Sequence, residues 1–383
     1  MTSTPAPSVA SSRLEMGFTR DQYLDPAWFE HELDVLFRPT WQYAVHESEI
    51  PEANSYVALR ILGENIVVTR DVEGLIHAVF NSCRHRGATL CDPGPGQGRR
   101  LVCPYHQWSY GMDGALRTAP AMPKSMNLGE YGLRRAHAES WNGFVYVNLF
   151  GDGQPSVADL LERKAAEFAP YDLRRAKVAA TISYDVAANW KVAYENYLEC
   201  YHCAANHPEL MEVFDLQTFF SKTANRVRAE ATDSFFPLRA SARSFTTEGD
   251  YSCTKLLGGL DAPPEGWTIE SAMRVAEPNL GSSLLVFPDY AIMFVFRPIA
   301  PERTVVECRW LVHEDAVEGT DYETGSLVRL WDVTNRQDWP LCERTQEGIR
   351  SRAYVPGPRH PDREPYVAEF TRLYWRDLDT ARS

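Results

Sequence analysis

Two cysteines and two histidines lie in the stretch NSCRHRGATLCDPGPGQGRRLVCPYHQWSY, residues 81–110, at a spacing that packing does not explain. Cys83 and His85 are separated by one residue, and Cys103 and His106 by two. Each pair fits on one tight loop, so two loops can hold one metal centre from opposite sides. Two thiolates and two imidazoles suit either a structural Zn²⁺ ion or iron–sulfur chemistry.

The order of these ligands favours iron and sulfur over zinc. Zinc sites usually contain CxxC pairs or CxxC with HxxxH, whereas C-x-H followed by C-x-x-H resembles a Rieske [2Fe–2S] site, in which two Cys hold one iron and two His the other. Neutral imidazole in place of thiolate raises the reduction potential to roughly −150 to +300 mV. Cys91 fits neither half of this motif, and we interpret it as a buried or partly exposed thiol.

A second group of possible metal ligands lies in NWKVAYENYLECYHCAANHPEL, residues 189–210. Glu199 and His202 are three apart and would share one face of a helix. His207 lies five residues beyond His202, which requires that helix to distort or end there. Two His and one carboxylate hold Fe(II) and leave positions open for O₂ and substrate. The carboxylate would then come from elsewhere in the chain.

The elements that must position these residues show two kinds of sequence pattern, helical and strand-like. Apolar residues at helical spacing from Arg20 to Phe37 predict an N-terminal helix. Short alternating runs from about Trp41 to Phe150, broken by Gly, Asn and Asp, predict a small antiparallel β-module. Beyond it the chain predicts paired strands, a long helix over residues 189–206 that begins at Asn189, and a C-terminal helix.

These elements predict an α+β fold, with the small β-module inserted into a larger α+β catalytic domain built on a central antiparallel sheet. The expected boundaries are a disordered tail over 1–16, the N-terminal helix of the catalytic domain over 17–40, the metal-binding β-module over 41–155, and the remaining catalytic domain over 156–383.

Composition excludes several classes of partner. The 383 residues carry a formal net charge of −13, which argues against binding nucleic acid. No run of eighteen apolar residues occurs, so we expect no membrane span. Eight cysteines without an apolar leader predict a reducing, cytoplasmic location. No GxGxxG motif follows a strand, so NAD(P)H would have to be oxidised by a separate protein.

The segments CRHRG and CPYHQW resemble the Rieske loops of ring-hydroxylating and related oxygenases, although Gln107 stands where the family often has Gly. The resemblance extends over nearly the whole chain after the tail. It implies a [2Fe–2S] cluster on the two Cys and two His of the first motif. It also implies a mononuclear iron held by His202, His207 and Asp338, for which Asp332 and Glu343 remain alternatives to the acid.

The resemblance also implies roles for two residues near the histidines. Glu199 would link the iron site to the Rieske ligand His106 or His85 of a neighbouring subunit, which requires an oligomer, here a homotrimer. Asn196 would lie near the iron. The alternatives are a solvent-exposed carboxylate and a surface amide. We interpret Cys200 and Cys203 as buried thiols, and the stripe formed by Tyr194, Tyr197 and Tyr201 as core.

ENYLECYHCAANHPEL and RTQEGIRSRAYVPGP resemble the branch that oxidises quaternary ammonium compounds, which includes choline monooxygenase and betaine and carnitine demethylases. It implies a monooxygenase, an oxidoreductase that uses O₂ and electrons from a separate flavin/iron–sulfur reductase. The alternatives are a Rieske oxygenase for an aromatic acid or ring, and a non-enzymatic electron-transfer or zinc-binding protein. Aromatic faces bind quaternary ammonium groups. Predicted strands supply Phe287, Tyr290, Phe294, Phe296 and Trp310, but core packing is the default interpretation for each, so we assign no binding cage. Arg297 or Arg309 is a candidate to meet a substrate carboxylate.

Overall fold

The computed structural model describes residues 14–151, 153–228, 235–265 and 267–380. Over this part of the chain the strands form three sheets in which every pairing is antiparallel, and helices cover one side of the central sheet. The predicted α+β class and the central antiparallel sheet are therefore confirmed. The first thirteen residues of the predicted tail lie outside the described residues, and the predicted domain boundaries stay predictions.

The predicted N-terminal helix is present but consists of three short pieces. They are α1 (Arg20–Leu24), α2 (Pro26–Glu32) and a π-helical turn (Leu33–Phe37). The Asp25 side chain caps α2, and Pro26 occupies its first position. Proline disfavours helical geometry in the residue before it, so α1 ends at this point instead of continuing.

Ten short strands form the predicted β-module. They are β1 (Gln42–His46), β2 (Ser55–Ile61), β3 (Glu64–Arg70), β4 (Ile76–Phe80), β5 (Gly94–Gln97), β6 (Leu101–Val102), β7 (Ser109–Tyr110), β8 (Leu116–Thr118), β9 (Arg135–Trp141) and β10 (Phe144–Asn148). One sheet has the order β1-β10-β9-β4-β3-β2-β5 and the other β6-β7-β8. The second, small sheet carries one of the two loops that hold the predicted cluster ligands.

The central sheet has the order β11-β15-β14-β13-β12 once its strands are numbered along the chain: β11 (Ala176–Val186), β12 (Arg274–Asn279), β13 (Ser282–Val286), β14 (Ala291–Ala300) and β15 (Arg303–His313). Successive side chains of a strand face opposite sides. Phe294 and Phe296 therefore join the core under the helices, while Met293 and Val295 join the core against the β-module. Both faces of the sheet are covered.

The helices of the larger domain are α3 (Val157–Leu160), α4 (Glu162–Phe168), α5 (Trp190–Tyr197), α6 (Cys203–Asn206), α7 (Pro208–Val213), α8 (Leu216–Arg228), α9 (Thr324–Arg350) and α10 (Pro365–Thr380). The prediction of one continuous helix over residues 189–206 was wrong, because α5 ends at Tyr197 and a loop separates it from α6. The N-cap was right: the Asn189 side chain accepts a hydrogen bond from the Lys191 amide at 2.9 Å.

A buried histidine lies where the β-module meets the larger domain. His46 Nε2 donates to the Leu173 carbonyl at 3.1 Å, and Nδ1 accepts from the Ser48 amide at 3.2 Å. Burial lowers the pKa of His46 from its ordinary 6.5 to about 4. Gly143 approaches so closely that a Cβ on it would lie 2.5 Å from His46 Nε2. The neutral ring is therefore part of the packing between the two units.

None of the helices in the described part of the chain has both the length and the apolar character needed to cross a bilayer.

Candidate active site

Two loops bring the four predicted cluster ligands to one end of the β-module. The loop that follows β4 carries Cys83 and His85, and the loop between β6 and β7 carries Cys103 and His106. Each loop closes on itself through a backbone hydrogen bond to the carbonyl of its own cysteine, 2.8 Å long in the first loop and 3.0 Å in the second.

The sulfur ligands face inward and the imidazoles face outward. Cys83 and Cys103 are 3% and 2% exposed, whereas His85 is exposed and His106 is half-buried. The two imidazole rings lie 4.6 Å apart, centre to centre, and His85 stacks on Trp108 at 5.0 Å. Two buried sulfurs and two imidazoles at the surface fit a Rieske cluster whose histidine edge faces out of the molecule.

Two other residues of this region behave as their chemistry requires. Gln107 has a φ of 58°, in the left-handed region that glycine adopts most easily, which accounts for the glycine often found there in the family. Cys91 is a free, buried cysteine, as interpreted from the sequence, and burial raises the pKa of its thiol. It is not one of the paired ligands.

Three elements bring the second set of ligands together. His202 lies in the loop after α5, His207 between α6 and α7, and Asp338 in the middle of α9. Asp338 Oδ1 lies 3.0 Å from His202 Nε2 and 2.9 Å from His207 Nε2, and the two rings are 5.1 Å apart. Pro208 begins α7 directly after His207, so the backbone turns at the ligand.

The electrostatics of this triad suit a bound cation. Burial alone would raise the pKa of Asp338, but hydrogen bonds from His202 and His207 outweigh it and lower that pKa. Burial opposes charge on His202, yet hydrogen bonds to Asp338 and Glu199 raise the pKa of its ring to about 9. Within the described residues, Asn196 Oδ1 is buried beside the triad without a hydrogen-bond partner. Two imidazoles, a carboxylate and this unsatisfied oxygen fit mononuclear Fe(II).

Asn196 and Glu199 both contact the triad. Asn196 Nδ2 lies 3.3 Å from His202 Nε2 and 3.4 Å from Asp338 Oδ1. Glu199 Oε1 lies 2.6 Å from His202 Nδ1, and the Glu199 side chain is 14% exposed. The structure therefore contradicts the two alternative interpretations, a surface amide and a solvent-exposed helix carboxylate.

Gln337 is a site residue that sequence reasoning missed. Its Oε1 lies 2.8 Å from His207 Nδ1, and its Nε2 donates to Glu209 Oε2 at 2.8 Å. Such a partner fixes the tautomer and the orientation of a ligand ring. In the sequence, Gln337 is notable only as the residue directly before Asp338. That position does not reveal that its side-chain amide contacts His207.

The two rival acids belong to other networks. Asp332 accepts a hydrogen bond from the Tyr184 hydroxyl at 2.7 Å and pairs with Arg336 at 3.0 Å. Glu343 accepts a hydrogen bond from the Ala187 amide at 3.2 Å. Of the three candidate acids, the structure brings Asp338 to the histidines.

A cavity of about 460 Å³ opens beside the triad, and its lining includes His202, His207 and Asp338. This volume lies in the range of small-molecule sites. Much of the remaining lining is aromatic and comes from helices, strands and loops of the larger domain; it includes Tyr197, Phe214, Phe245, Phe294, Trp331 and Tyr366. The cavity therefore joins the end that contains the triad to apolar, aromatic walls.

Two interpretations of residues near His202 were wrong. Cys200 and Cys203 form a disulfide, with their Cα atoms 4.8 Å apart, instead of two buried thiols. Tyr201 is 58% exposed, since it lies in the loop after α5 and no longer follows the helical stripe, whereas Tyr194 is buried. The error at Tyr201 arises because α5 ends at Tyr197.

The five strand aromatics lie in the core, which is the default interpretation for each of them, and Phe294 also lines the cavity. The two arginines suggested as partners of a substrate carboxylate were wrong. Arg297 and Arg309 both pair with Glu307, on the face of the central sheet that packs against the β-module. The alternation of β14 and β15 places these two guanidinium groups on the side opposite the cavity.

Comparison with protein families agrees with this geometry. The family described as Rieske [2Fe-2S] domain matches residues 40–136, and the family described as ring hydroxylating alpha subunit (catalytic domain) matches residues 173–379, more than half of the chain. The chain belongs to the ring-hydroxylating oxygenase alpha-subunit family. It is therefore an oxidoreductase of the Rieske type, and this family implies a [2Fe–2S] cluster and a mononuclear iron.

Individual members of the family are similar over most of their length. A glycine betaine monooxygenase oxygenase subunit from Pseudomonas aeruginosa is 35% identical over 387 residues, covering 92% of this chain and 86% of the relative. A carnitine monooxygenase oxygenase subunit from Escherichia coli is 29% identical, covering 87% and 84%. A crystal structure of the quaternary ammonium Rieske monooxygenase CntA with an inhibitor has a TM-score of 0.75 at 23% identity, over 95% and 96% of the chains, and supports the fold.

Proposed function

We propose that the chain is the terminal oxygenase of a Rieske monooxygenase that hydroxylates or N-demethylates a betaine-like quaternary ammonium compound. The cavity carries this proposal, because it combines His202, His207 and Asp338 with aromatic walls. A quaternary ammonium group donates no hydrogen bond and is attracted to aromatic faces. The names of the glycine betaine and carnitine relatives support the same substrate class.

The proposed metal ligands are the two groups described above. His202, His207 and Asp338 would hold the mononuclear iron, and the two Cys and two His of the β-module loops would hold the cluster. When bound, the cluster would supply single electrons and the iron would activate O₂ for attack on a substrate C–H bond. Gln337 keeps the His207 ring in one orientation, and Glu199 does the same for His202.

The reaction proposed for an N-methyl substrate balances as follows. One oxygen atom of O₂ enters a methyl C–H bond, and the other leaves as water after uptake of two electrons and two protons. The resulting hemiaminal loses formaldehyde, leaving the demethylated amine. The apolar walls of the cavity keep bulk water from the reacting carbon. We propose that a separate flavin/iron–sulfur reductase oxidises NAD(P)H and supplies the electrons in the cytoplasm.

We also propose a homotrimer in which electrons cross between subunits. Residues of the β-module are absent from the cavity lining found in the described part of the chain. The imidazole edge of the cluster site faces outward, and the exposed Tyr201 lies near Glu199, which contacts His202. Glu199 would then join His202 to His85 or His106 of a neighbouring subunit.

Formaldehyde release tests the proposed substrate class. The iron-loaded protein is incubated with a compatible reductase, NADH and O₂, together with glycine betaine, choline, carnitine, or benzoate-type acids. We expect formaldehyde from at least one quaternary amine, in a fixed ratio to the NADH consumed, and none from the aromatic acids. Hydroxylation of an aromatic acid without turnover of any quaternary amine would contradict the proposal, and so would a protein that carries zinc alone.

A further inference from the structure

A carboxylate lies in the wall of the cavity, on the edge strand of the central sheet. Met273, Val275 and Glu277 follow one another at every second position and all line the cavity, whereas Ala276 packs on the opposite face. Pairing of β12 with β13 shifts register between Ala276 and Asn279. Bulges of this kind occur next to active sites and re-aim side chains.

The Glu277 carboxylate is exposed to the open space of the cavity. Desolvation by the surrounding walls still raises the pKa of Glu277 above its ordinary value, and a hydrogen bond from Ser283 and the positive charge of Lys164 offset this in part. Among the ion pairs formed by described residues within 4.0 Å, none includes Glu277. A carboxylate that faces a cavity without an ion-pair partner attracts a cation that enters beside it.

The groups around Glu277 lead back towards the metal ligands. The Tyr197 hydroxyl donates to Ser283 Oγ at 2.8 Å, and Ser283 in turn bonds to Glu277. Tyr197 directly follows Asn196, which contacts the triad. The rings of Tyr197 and Phe294 lie 5.3 Å apart. Glu277 therefore shares its part of the cavity with two aromatic rings.

We propose that Glu277 is the specificity-determining residue that recognises the positive charge of the substrate. The inference rests on the proposed function, because it assigns a position in the cavity to the quaternary nitrogen. Such a nitrogen makes no hydrogen bonds, so its charge is recognised by a nearby anion and by ring faces. Tyr197 and Phe294 supply the ring faces, and Glu277 supplies the anion.

The opposite end of the substrate would lie near basic residues of α4. Arg163 and Lys164 also line the cavity. A zwitterionic betaine would then place its ammonium group at Glu277 and its carboxylate towards α4. This arrangement distinguishes a betaine from a molecule of the same shape that lacks the positive charge. Aromatic walls alone would discriminate between the two only weakly.

The test compares glycine betaine with 3,3-dimethylbutanoate, which has the same shape but carbon in place of the charged nitrogen. Dissociation constants are measured by calorimetry without O₂ on the cluster- and iron-loaded protein. Glu277→Gln should weaken binding of glycine betaine about ten- to a hundredfold, since it removes the anion. Binding of 3,3-dimethylbutanoate should stay unchanged or become tighter. Glu162→Gln, an exposed acid on α4, is the matched control and should alter neither constant.

Further variants and the wild type separate the possible failures. Glu277→Asp keeps the charge and should retain a preference for glycine betaine, while cluster absorption and iron content verify that each variant is folded. A Glu277→Gln protein that keeps the wild-type preference would overturn the role of Glu277. If the wild type itself binds and oxidises no quaternary amine, the proposed function fails first, which is a distinct result.

Discussion

At the scale of single residues, one oxygen atom holds the candidate metal centre together. Asp338 Oδ1 lies within 3.0 Å of a ring nitrogen on each of two histidines, whereas Asp332 bonds to a tyrosine and an arginine. The two acids are on the same helix, six residues apart, and differ in the side of α9 that they occupy. Substitution can therefore separate their roles.

Asp338→Ala should remove the mononuclear iron and spare the cluster, because the β-module supplies its own ligands. Total iron should fall from about three atoms per chain to about two, with unchanged visible absorption of the cluster. Asp332→Ala is the control and should keep all of the iron. Metal analysis and acid-labile sulfide on both purified variants give the answer. Retention of the third iron by Asp338→Ala, with loss in Asp332→Ala, would reverse the assignment.

Residue types and spacing indicated the candidate cysteines and histidines, and the family resemblance indicated Asp338, but neither revealed the groups that orient or surround them. Cys83, His85 and their counterparts form a motif because two short loops fix their separation locally. Gln337 and Glu277 contribute through partners far away in sequence, which local pattern does not contain. Glu277 precedes a proline in the segment VAEPN, a pattern typical of a turn. Only the pairing of β12 with β13 shows that Glu277 belongs to a strand.

At the scale of elements, strands were predicted better than the helix that carries the histidines. Alternation of apolar residues is a local property, and it predicted both the short strands between Trp41 and Phe150 and the paired strands beyond them. The helix over residues 189–206 was wrong because helical propensity continues past Tyr197, while the triad requires the backbone to turn. Tertiary contacts to α9 decide that point, and the sequence of the segment alone does not contain them.

His46 makes stability depend on pH at the contact between β1 and the larger domain. Its folded pKa of about 4 lies below the ordinary 6.5, so the unfolded chain takes up the proton first as pH falls. The stabilisation is complete above pH 6.5 and is lost between pH 6.5 and about 4, by about 3 kcal/mol.

Urea unfolding of the wild type and of His46→Gln between pH 8 and pH 4 measures this effect. The difference in unfolding free energy at pH 8 reports the packing loss alone, and it should shrink by about 3 kcal/mol towards pH 4 as the wild type loses stability. A difference that stays constant across this range would show that the His46 ring is not kept neutral in the folded protein.

At the scale of the whole molecule, the two candidate metal sites lie on separate units of one chain. The cluster loops are at one end of the β-module, and the triad lies among α5, α7 and α9 of the larger domain. A homotrimer would bring the outward-facing imidazoles of one subunit to Glu199 of the next. The proposed electron path is then a property of the assembly.

Mixed oligomers test that path directly. Cys103→Ser removes a cluster ligand and Asp338→Ala removes an iron ligand, so each variant alone should be inactive. Coexpressed with different affinity tags and purified through both, mixed trimers should regain about a third of the wild-type activity, because one neighbouring pair per ring is complete. Mixed oligomers as inactive as either parent would place electron transfer within one chain.

The size of the chamber beside the triad has a consequence for the choice of substrate. At about 460 Å³ the cavity is much larger than glycine betaine, so a close steric fit does not select this substrate. Discrimination would come from charge, with the ammonium group beside Glu277 and the carboxylate towards Arg163 and Lys164. Betaines with longer spacers would then share one enzyme, each held by its ammonium group beside Glu277 and differing in how far the rest of the molecule extends.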